Sequence, residues 1–377
     1  MEHKKHKESS LQNMERRRNL FSVMTYCLQN DGCSKREICE GTNLSWGLVS
    51  KVTNDLEKRG FLKASSHERL PGAGRNAFGY CASEERYVSL GVSAEKNRFV
   101  LSVVSLRKNI LKRIVLEKEL SLKEEVFAAL FSIIDDAVAW SKEEGKEILS
   151  IGLSVQSYVN SKKGQILHFP GINENEWKDV DVVSPLKEKY HVPVFMERDG
   201  VCLLCEEYID HGAEDKILVL LDNSISFGVF FDGSIVSGSN SMDLGHTVYD
   251  LSLDPKEATL TSLVSVKGLL NKLQISEKEL FENPGKYAST LKRAGQYLGL
   301  ALYDVYRLQG ISNIVLAGKL LLLKDFFLEE AKKTMKRYMK NEAFEGLRFT
   351  FLDSNDGSRG AAWFALQSGL EESIGRR

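Results

Sequence analysis

Leu44-Ser45-Trp46-Gly47-Leu48-Val49-Ser50-Lys51-Val52-Thr53-Asn54-Asp55-Leu56-Glu57-Lys58-Arg59-Gly60-Phe61-Leu62 is the stretch on which the reading of this chain turns. Leu48, Val49, Val52 and Leu56 recur at helical spacing. Ser45 stands at the N-cap position and Gly60 stops the run. Just upstream, Ser34-Lys35-Arg36-Glu37 has capping-box spacing and opens a short helix over 35–41, with Thr42-Asn43-Leu44 as a tight turn. Two short helices joined by about three residues is the helix-turn-helix layout. A helix over 16–29, carrying Leu20, Val23, Met24, Cys27 and Leu28 on one face, precedes them and ends at Asn30-Asp31-Gly32. Downstream, Phe61–Ala64 and Ala77–Tyr80 predict two short strands around Pro71-Gly72-Ala73-Gly74-Arg75-Asn76, a hairpin with a basic tip, or wing.

This winged helix-turn-helix, assigned to residues 1–82, suits double-stranded DNA. A second helix beginning at Ser45, Trp46 and Ser50 fits a major groove about 12 Å wide. Lys35, Arg36 and Lys51 are placed to neutralise phosphates, and Arg75 to reach a minor groove. Trp46 reads either as a base contact or as a helix-start residue packed on its neighbours. A small helical interaction domain is the alternative for the head. The quoted stretch argues against it, being similar to the recognition helix and following strand of bacterial winged-helix repressors. Residues 1–80 carry a local charge of +5 and the remainder −6, within a total of −1. A basic head on an acidic body points to a polyanionic partner for the head.

The length of 377 residues suggests two or three domains, and 27% charged with 42% hydrophobic residues is an ordinary globular balance. No run of about 18 apolar residues exists to span a bilayer. The charged N-terminus lacks the apolar core of a secretory signal, so a cytoplasmic location is expected. Six cysteines are too few for a disulfide scaffold. Cys202-Leu203-Leu204-Cys205 lies in an apolar helical stretch where both thiols suit packing better than metal or redox chemistry.

Beyond the head, three strands (87–92, 98–105, 110–116), a helix (123–144), a strand (148–155), a short helix (185–190), a strand (192–196) and a helix (201–211) are expected. The order then repeats: strands 217–221, 226–231 and 234–237, helices over 257–272 and 286–309, then strand 311–316, helix 326–340, strand 349–352 and helix 357–370. This predicts an α/β body made of a duplicated unit, with lobes of about 83–212 and 213–377 and a central cleft as the default ligand site.

Body and head together resemble the ROK family of repressors and sugar kinases, over about residues 14–370. The resemblance implies an actin-like, ribonuclease-H-like ATPase-type body. Family kinases carry Asp-x-Gly-x-Thr after the first body strand; here the stretch is Gly91-Val92-Ser93-Ala94-Glu95-Lys96-Asn97. A second family loop, Gly-Thr-Gly-Ile-Gly-x-Gly, is matched by Asp222-Asn223-Ser224-Ile225-Ser226-Phe227-Gly228, which keeps one glycine of four. Such glycines let backbone N–H groups curl around anionic oxygens, so ATP use is not expected. The sugar side is better kept. Glu197-Arg198-Asp199-Gly200-Val201 matches the family's Asn-Asp-Ala-Asn, which places Asp199 at the catalytic aspartate, although a helix N-cap is its plain alternative. Met242-Asp243-Leu244-Gly245-His246 matches Gly-Glu-Ile-Gly-His, which implies Asp243 and His246 as sugar contacts, and Glu257 corresponds to a later family Glu.

Two departures bear on the ligand. The family's cysteine-rich zinc loop has no cysteine here, and zinc prefers four nitrogen or sulfur ligands, so no metal and no other cofactor is expected. Ser154-Val155-Gln156-Ser157-Tyr158 replaces a Pro-Gly turn that helps hold the sugar. Arg198 in place of Asn favours an acidic or phosphorylated sugar, unless it is a surface Arg paired with Glu197 or Glu206. The expectation is a non-enzymatic repressor of carbohydrate genes, binding operator DNA and a sugar effector as a homodimer or tetramer. The rivals are a sugar kinase with a regulatory head and a constitutive DNA-binding scaffold with an inert cleft.

Overall fold

A computed structural model describes residues 2–66, 78–95, 98–118, 122–168, 176–212, 214–236, 243–352 and 356–376. The head opens with α1 (Glu2–Gln29), β1 (Cys33–Ser34), α2 (Lys35–Thr42) and α3 (Trp46–Lys58). Leu20, Val23, Met24, Cys27 and Leu28 of α1 are all buried, as their spacing required. The capping box of α2 forms: Glu37 N–H donates to Ser34 Oγ (3.3 Å) and Ser34 N–H to Glu37 Oε2 (2.7 Å). Asn43, at φ 54°, turns the chain out of α2. Ser45 occupies the N-cap position of α3 but makes no side-chain cap bond. The capping expected of it is therefore corrected; Leu48, three residues on, offers no return bond of the kind Glu37 supplies. β2 (Leu62–Ser66) and β3 (Phe78–Ala82) pair antiparallel from Leu62↔Ala82 to Ser66↔Phe78, and β1 adds to the other edge of β3. The wing tip over 71–76, with Arg75, lies outside the described residues.

The body begins with β4 (Tyr87–Glu95), β5 (Arg98–Ser105), β6 (Ile110–Glu117), α4 (Lys123–Glu143) and β7 (Glu147–Val155). A three-stranded piece that the sequence reading missed follows: β8 (Tyr158–Asn160), β9 (Gln165–His168) and β10 (Val180–Asp181). Then come α5 (Val183–Tyr190), β11 (Val194–Arg198) and α6 (Asp199–His211). The second series is β12 (Lys216–Leu221), β13 (Ile225–Phe231), β14 (Ser234–Val236), a 3₁₀ turn Leu244–His246, α7 (Leu260–Val264), α8 (Val266–Leu273), α9 (Glu277–Glu282) and α10 (Ala288–Gln309). β15 (Asn313–Ala317), α11 (Lys324–Tyr338), α12 (Asn341–Glu345), β16 (Arg348–Leu352) and α13 (Ser358–Arg376) complete it.

The two five-stranded sheets have orders β11-β7-β4-β5-β6 and β14-β13-β12-β15-β16. Each reads fifth, fourth, first, second, third of its own strands in one direction or the other, so the duplication expected from element order is present. In the second sheet β12, β13 and β14 form an antiparallel meander, and β15 and β16 extend it in parallel from β12. Every residue of β12 is buried, as a central strand covered on both faces must be.

Compactness divides the chain differently from the linear lobes 83–212 and 213–377. One unit comprises Met1–Ser154, Asp181–Met196 and Ala361–Arg377; the other comprises Val155–Val180 and Glu197–Gly360. α6 belongs to the second unit because it lies on β13 so closely that a Cβ at Gly200 would stand 2.9 Å from Phe227 N. The end of the chain belongs to the first: a Cβ at Gly152 of β7 would stand 1.9 Å from the Ala361 carbonyl oxygen, and Ser373 Oγ donates to Leu149 O at 3.2 Å.

The single helix expected over 257–272 is two. Ser265 is extended (φ −65°, ψ 158°), caps α8 by accepting Gly268 N–H at 3.0 Å, and directs Val266 N–H onto Asp222 O at 2.9 Å. That break anchors α8 to the end of β12 and puts its first turn beside the candidate ligand pocket. No helix among the described residues is long and apolar enough to cross a membrane.

Candidate functional site

In the head, Trp46 is 60% exposed, so it is not packed as a helix-start anchor. It opens α3 next to Gly47, whose Cβ position faces open space, and both Ser45 and Lys51 are exposed. Lys35 is placed differently from a purely solvent-facing cation. Its Nζ donates to Ser50 Oγ at 3.0 Å and lies 5.6 Å from the Tyr80 ring centroid, so it braces α2 to α3 and β3. Arg36 is exposed and paired with Glu40 one turn on (2.8 Å), a contact worth little in water. The sequence reading missed Arg16, which reaches from α1 to Asp55 of α3 at 3.1 Å and lines a groove with Lys51 and Lys58. The Arg16-Arg17-Arg18 run was its only signal.

The second unit contains a pocket of about 220 Å³. That is below the roughly 300–1,000 Å³ of drug-sized sites and suits a compact ligand. Asp199, Asp243, His246 and Arg198 all line it, so side chains from the end of β11, the start of α6 and the 3₁₀ turn are brought together. Glu257 is not: it is exposed in the turn 254–258, where its N–H closes on Asp254 O at 2.8 Å, and it is absent from the lining. The Tyr249 N–H is tied to Ala258 O (2.8 Å), which closes this loop on itself with Glu257 in solvent. Glu206 binds Arg359 at 2.8 Å, and the Arg198 N–H donates to Glu197 Oε2 at 3.1 Å.

Asp199 is buried, and burial pushes its carboxyl up to about 6. Hydrogen bonds from Ser226 and from Gly200 N–H (2.8 Å) pull in the other direction. Ser226 stands where the family resemblance implies a phosphate-loop glycine; here its hydroxyl supports Asp199 and also accepts Gly200 N–H at 3.1 Å. The remaining glycine, Gly228, answers to packing, since a Cβ there would stand 2.8 Å from the Gly200 carbonyl oxygen. Gly200→Val would drive its Cβ to 2.7 Å from Ser226 Oγ. It is expected to destabilise the fold by roughly 1–3 kcal/mol in urea titration, as overpacking does; unchanged stability would refute the close approach.

Asp243 is raised by burial, opposed by the His246 amide, which donates to Asp243 Oδ1 at 3.3 Å. Burial lowers His246, so its imidazole is neutral near pH 7. Tyr158 Oη lies 2.7 Å from His246 Nε2, with the rings edge to face at 4.9 Å. Tyr158, with Gln156 and Ser157, comes from the stretch that replaces the family's Pro-Gly turn. The departure thus supplies three polar side chains to the pocket rather than emptying it. Ionisable acids that accept, a neutral imidazole that does either, and a phenol suit a polyhydroxylated ligand.

Neither group implied by family kinases fits. For zinc, residues 247–258 hold no cysteine, and among the described residues no three His, Cys, Asp or Glu side chains are grouped to hold a metal. For a triphosphate, Asp222 puts a carboxylate in the second loop and turns it onto the amides of Asn223 (2.7 Å) and Lys319 (3.3 Å). Ser93, at the family's aspartate position, is buried within β4.

Comparison with known proteins bears on the family and the fold. The xylose repressor of Caldicellulosiruptor bescii is 20% identical over 357 residues, covering 85% of this chain and 87% of that protein. A crystal structure of a ROK family transcriptional regulator, a homologue of the E. coli MLC protein, superposes with a TM-score of 0.80 at 16% identity, covering 96% of this chain and 98% of that one. A ROK hexokinase from Thermus thermophilus gives 0.62 at 22% identity over 74% of this chain and 98% of its own. The hexokinase thus shares a fold with about three quarters of this chain, and the regulator with nearly all of it. The ROK family pattern itself matches residues 90–368, and this chain belongs to the ROK family.

Proposed function

We propose that this protein is a sequence-specific transcriptional repressor of carbohydrate genes, with a head (1–82) that binds operator DNA and a body (83–377) that senses a sugar without phosphorylating it. The observation that carries the reading is a single chain in which the sugar-side residues Asp199, Asp243 and His246 line one pocket while the phosphate-loop glycines are lost. The naming of a relative that spans most of both chains as a xylose repressor supports it. Lys35, Arg36, Ser45, Trp46, Ser50, Lys51 and Arg75 are the proposed DNA contacts. The effector site is proposed to work without metal or cofactor, in a cytoplasmic homodimer or tetramer that makes no membrane contact. The coupling is reciprocal: an effector that favours a body conformation misplacing two heads weakens DNA binding by the factor by which DNA weakens effector binding.

A sugar kinase with a DNA-binding head is the second reading, and Asp199 favours it, since a carboxyl near 6 in a pocket is suited to accept a hydroxyl proton. A coupled ADP-release assay over common hexoses, pentoses and hexosamines decides between them. No turnover above background is expected. Turnover that vanishes in Asp199→Asn would establish the kinase.

A further inference from the structure

The head contains a chemical feature that DNA recognition does not use. Cys27, near the end of α1, and Cys33, in β1, place their Sγ atoms 3.6 Å apart, both buried. The turn that joins them runs through Gly32 at φ 74°, a left-handed conformation open to glycine. Cys33 Sγ also lies 3.7 Å from the Tyr80 carbonyl oxygen. A disulfide needs about 2.0 Å between sulfurs, so closure requires a movement of about 1.5 Å across a short glycine-containing turn. The other four thiols are placed otherwise. Cys39 is half-buried on α2, Cys81 Sγ is directed to Lys63 O at 3.5 Å, and Cys202 and Cys205 are wholly buried one turn apart in α6.

We propose that Cys27 and Cys33 are a reversible dithiol–disulfide site, oxidised by exchange with a low-molecular-weight disulfide, and that oxidation weakens DNA binding. The second clause rests on the reading of the head as a DNA-binding domain; the first does not. Cys33 is the attacking sulfur, as the more exposed of the two, at 6% against 1%. The Cys33 thiolate attacks one sulfur of the small disulfide, forms a mixed disulfide and expels one small thiolate. The Cys27 thiolate then attacks Cys33 Sγ and expels the second. Two protein thiols lose two electrons and two protons, and one small disulfide becomes two thiols.

The route to DNA is short. Cys33 is the register partner of Tyr80 in the β1–β3 pair. Two residues on, Lys35 rests over the Tyr80 ring and holds Ser50 of α3. Drawing Cys33 towards α1 therefore displaces the support of the helix proposed to enter the groove.

The test uses the full chain equilibrated with excess oxidised glutathione, digested without reduction and mapped by mass spectrometry. A Cys27–Cys33 cross-link, two hydrogens lighter than the dithiol and reversed by dithiothreitol, is expected. Cys27→Ser should instead trap glutathione on Cys33. Absence of the cross-link in the wild-type chain overturns the site, whatever the variants do. Fluorescence anisotropy on duplex selected from a random pool should show about tenfold weaker binding after oxidation, and none of this loss in Cys33→Ala. A formed cross-link with unchanged affinity overturns the regulatory clause. Failure of the reduced chain to select any duplex overturns the DNA-binding reading instead, while the peptide map still decides the thiol chemistry.

Discussion

Asp199→Asn is expected to raise the dissociation constant of the sugar effector by roughly ten- to a hundredfold, because a hydrogen bond to a charged group is worth about 1.5–3 kcal/mol. His246→Ala should act in the same direction, since the neutral imidazole, held against Asp243 and Tyr158, loses both a donor and an acceptor role. The measurement is calorimetry against a ligand first found by thermal shift over a sugar panel. If both variants leave a confirmed ligand's affinity unchanged, that ligand binds elsewhere and the proposed pocket fails. The pH dependence is specific. With its carboxyl at about 6, Asp199 is increasingly protonated below that pH, and effector affinity should rise as pH increases from 5 to 7.

Stability should run the opposite way. Asp199 binds a proton more tightly in the folded chain (about 6) than in the unfolded one (about 3.9), so the folded state holds more protons between those values. Its contribution to stability therefore falls as pH rises through that window, by about 3 kcal/mol at most. Asp199→Asn removes this dependence, and stability of the variant measured at pH 4 and pH 7 should differ by correspondingly less. An equal pH dependence in both proteins would show that the carboxyl is not perturbed.

Lys51→Glu combined with Trp46→Ala is expected to weaken binding of selected duplex DNA at least tenfold, the second largest effect. Trp46 is exposed at the start of α3 and Lys51 is exposed one turn later, so neither change opens a cavity. Lys51→Ala alone should lower the slope of log affinity against log salt by about 0.9, the release of one phosphate's counterions. Lys35→Ala should instead cost folding stability as well as affinity, because its amine braces Ser50 and covers the Tyr80 ring. A double variant that binds as tightly as the parent would remove α3 from the groove. Arg75 is proposed for the minor groove, and Arg75→Ala should weaken binding.

Much of the architecture was legible because it is written in local spacing. The capping box at Ser34 and Glu37, the apolar face Leu48, Val49, Val52 and Leu56, and the three-strand runs before each alternating series are short-range signals that tertiary packing had no reason to override. The loss of phosphate-loop glycines was legible for the same reason, since glycine's role there is a property of its own backbone. Other features depend on residues far apart in sequence. Ser265 breaks what periodicity reads as one helix because Val266 N–H is claimed by Asp222 O, a partner more than forty residues earlier. Tyr158 joins His246 across 88 positions, and nothing in either residue's neighbourhood announces the other. Glu257 shows the converse: alignment in one dimension placed it at the sugar, but the tie from Tyr249 to Ala258 holds its turn in solvent. The sequence alone determined most of the secondary elements and the absence of the phosphate-loop glycines, because those follow from spacing, capping and residue identity. Only the tertiary structure decided which side chains share the pocket, because desolvation and close approach act on neighbours in space, and it is burial that moves Asp199 to about 6.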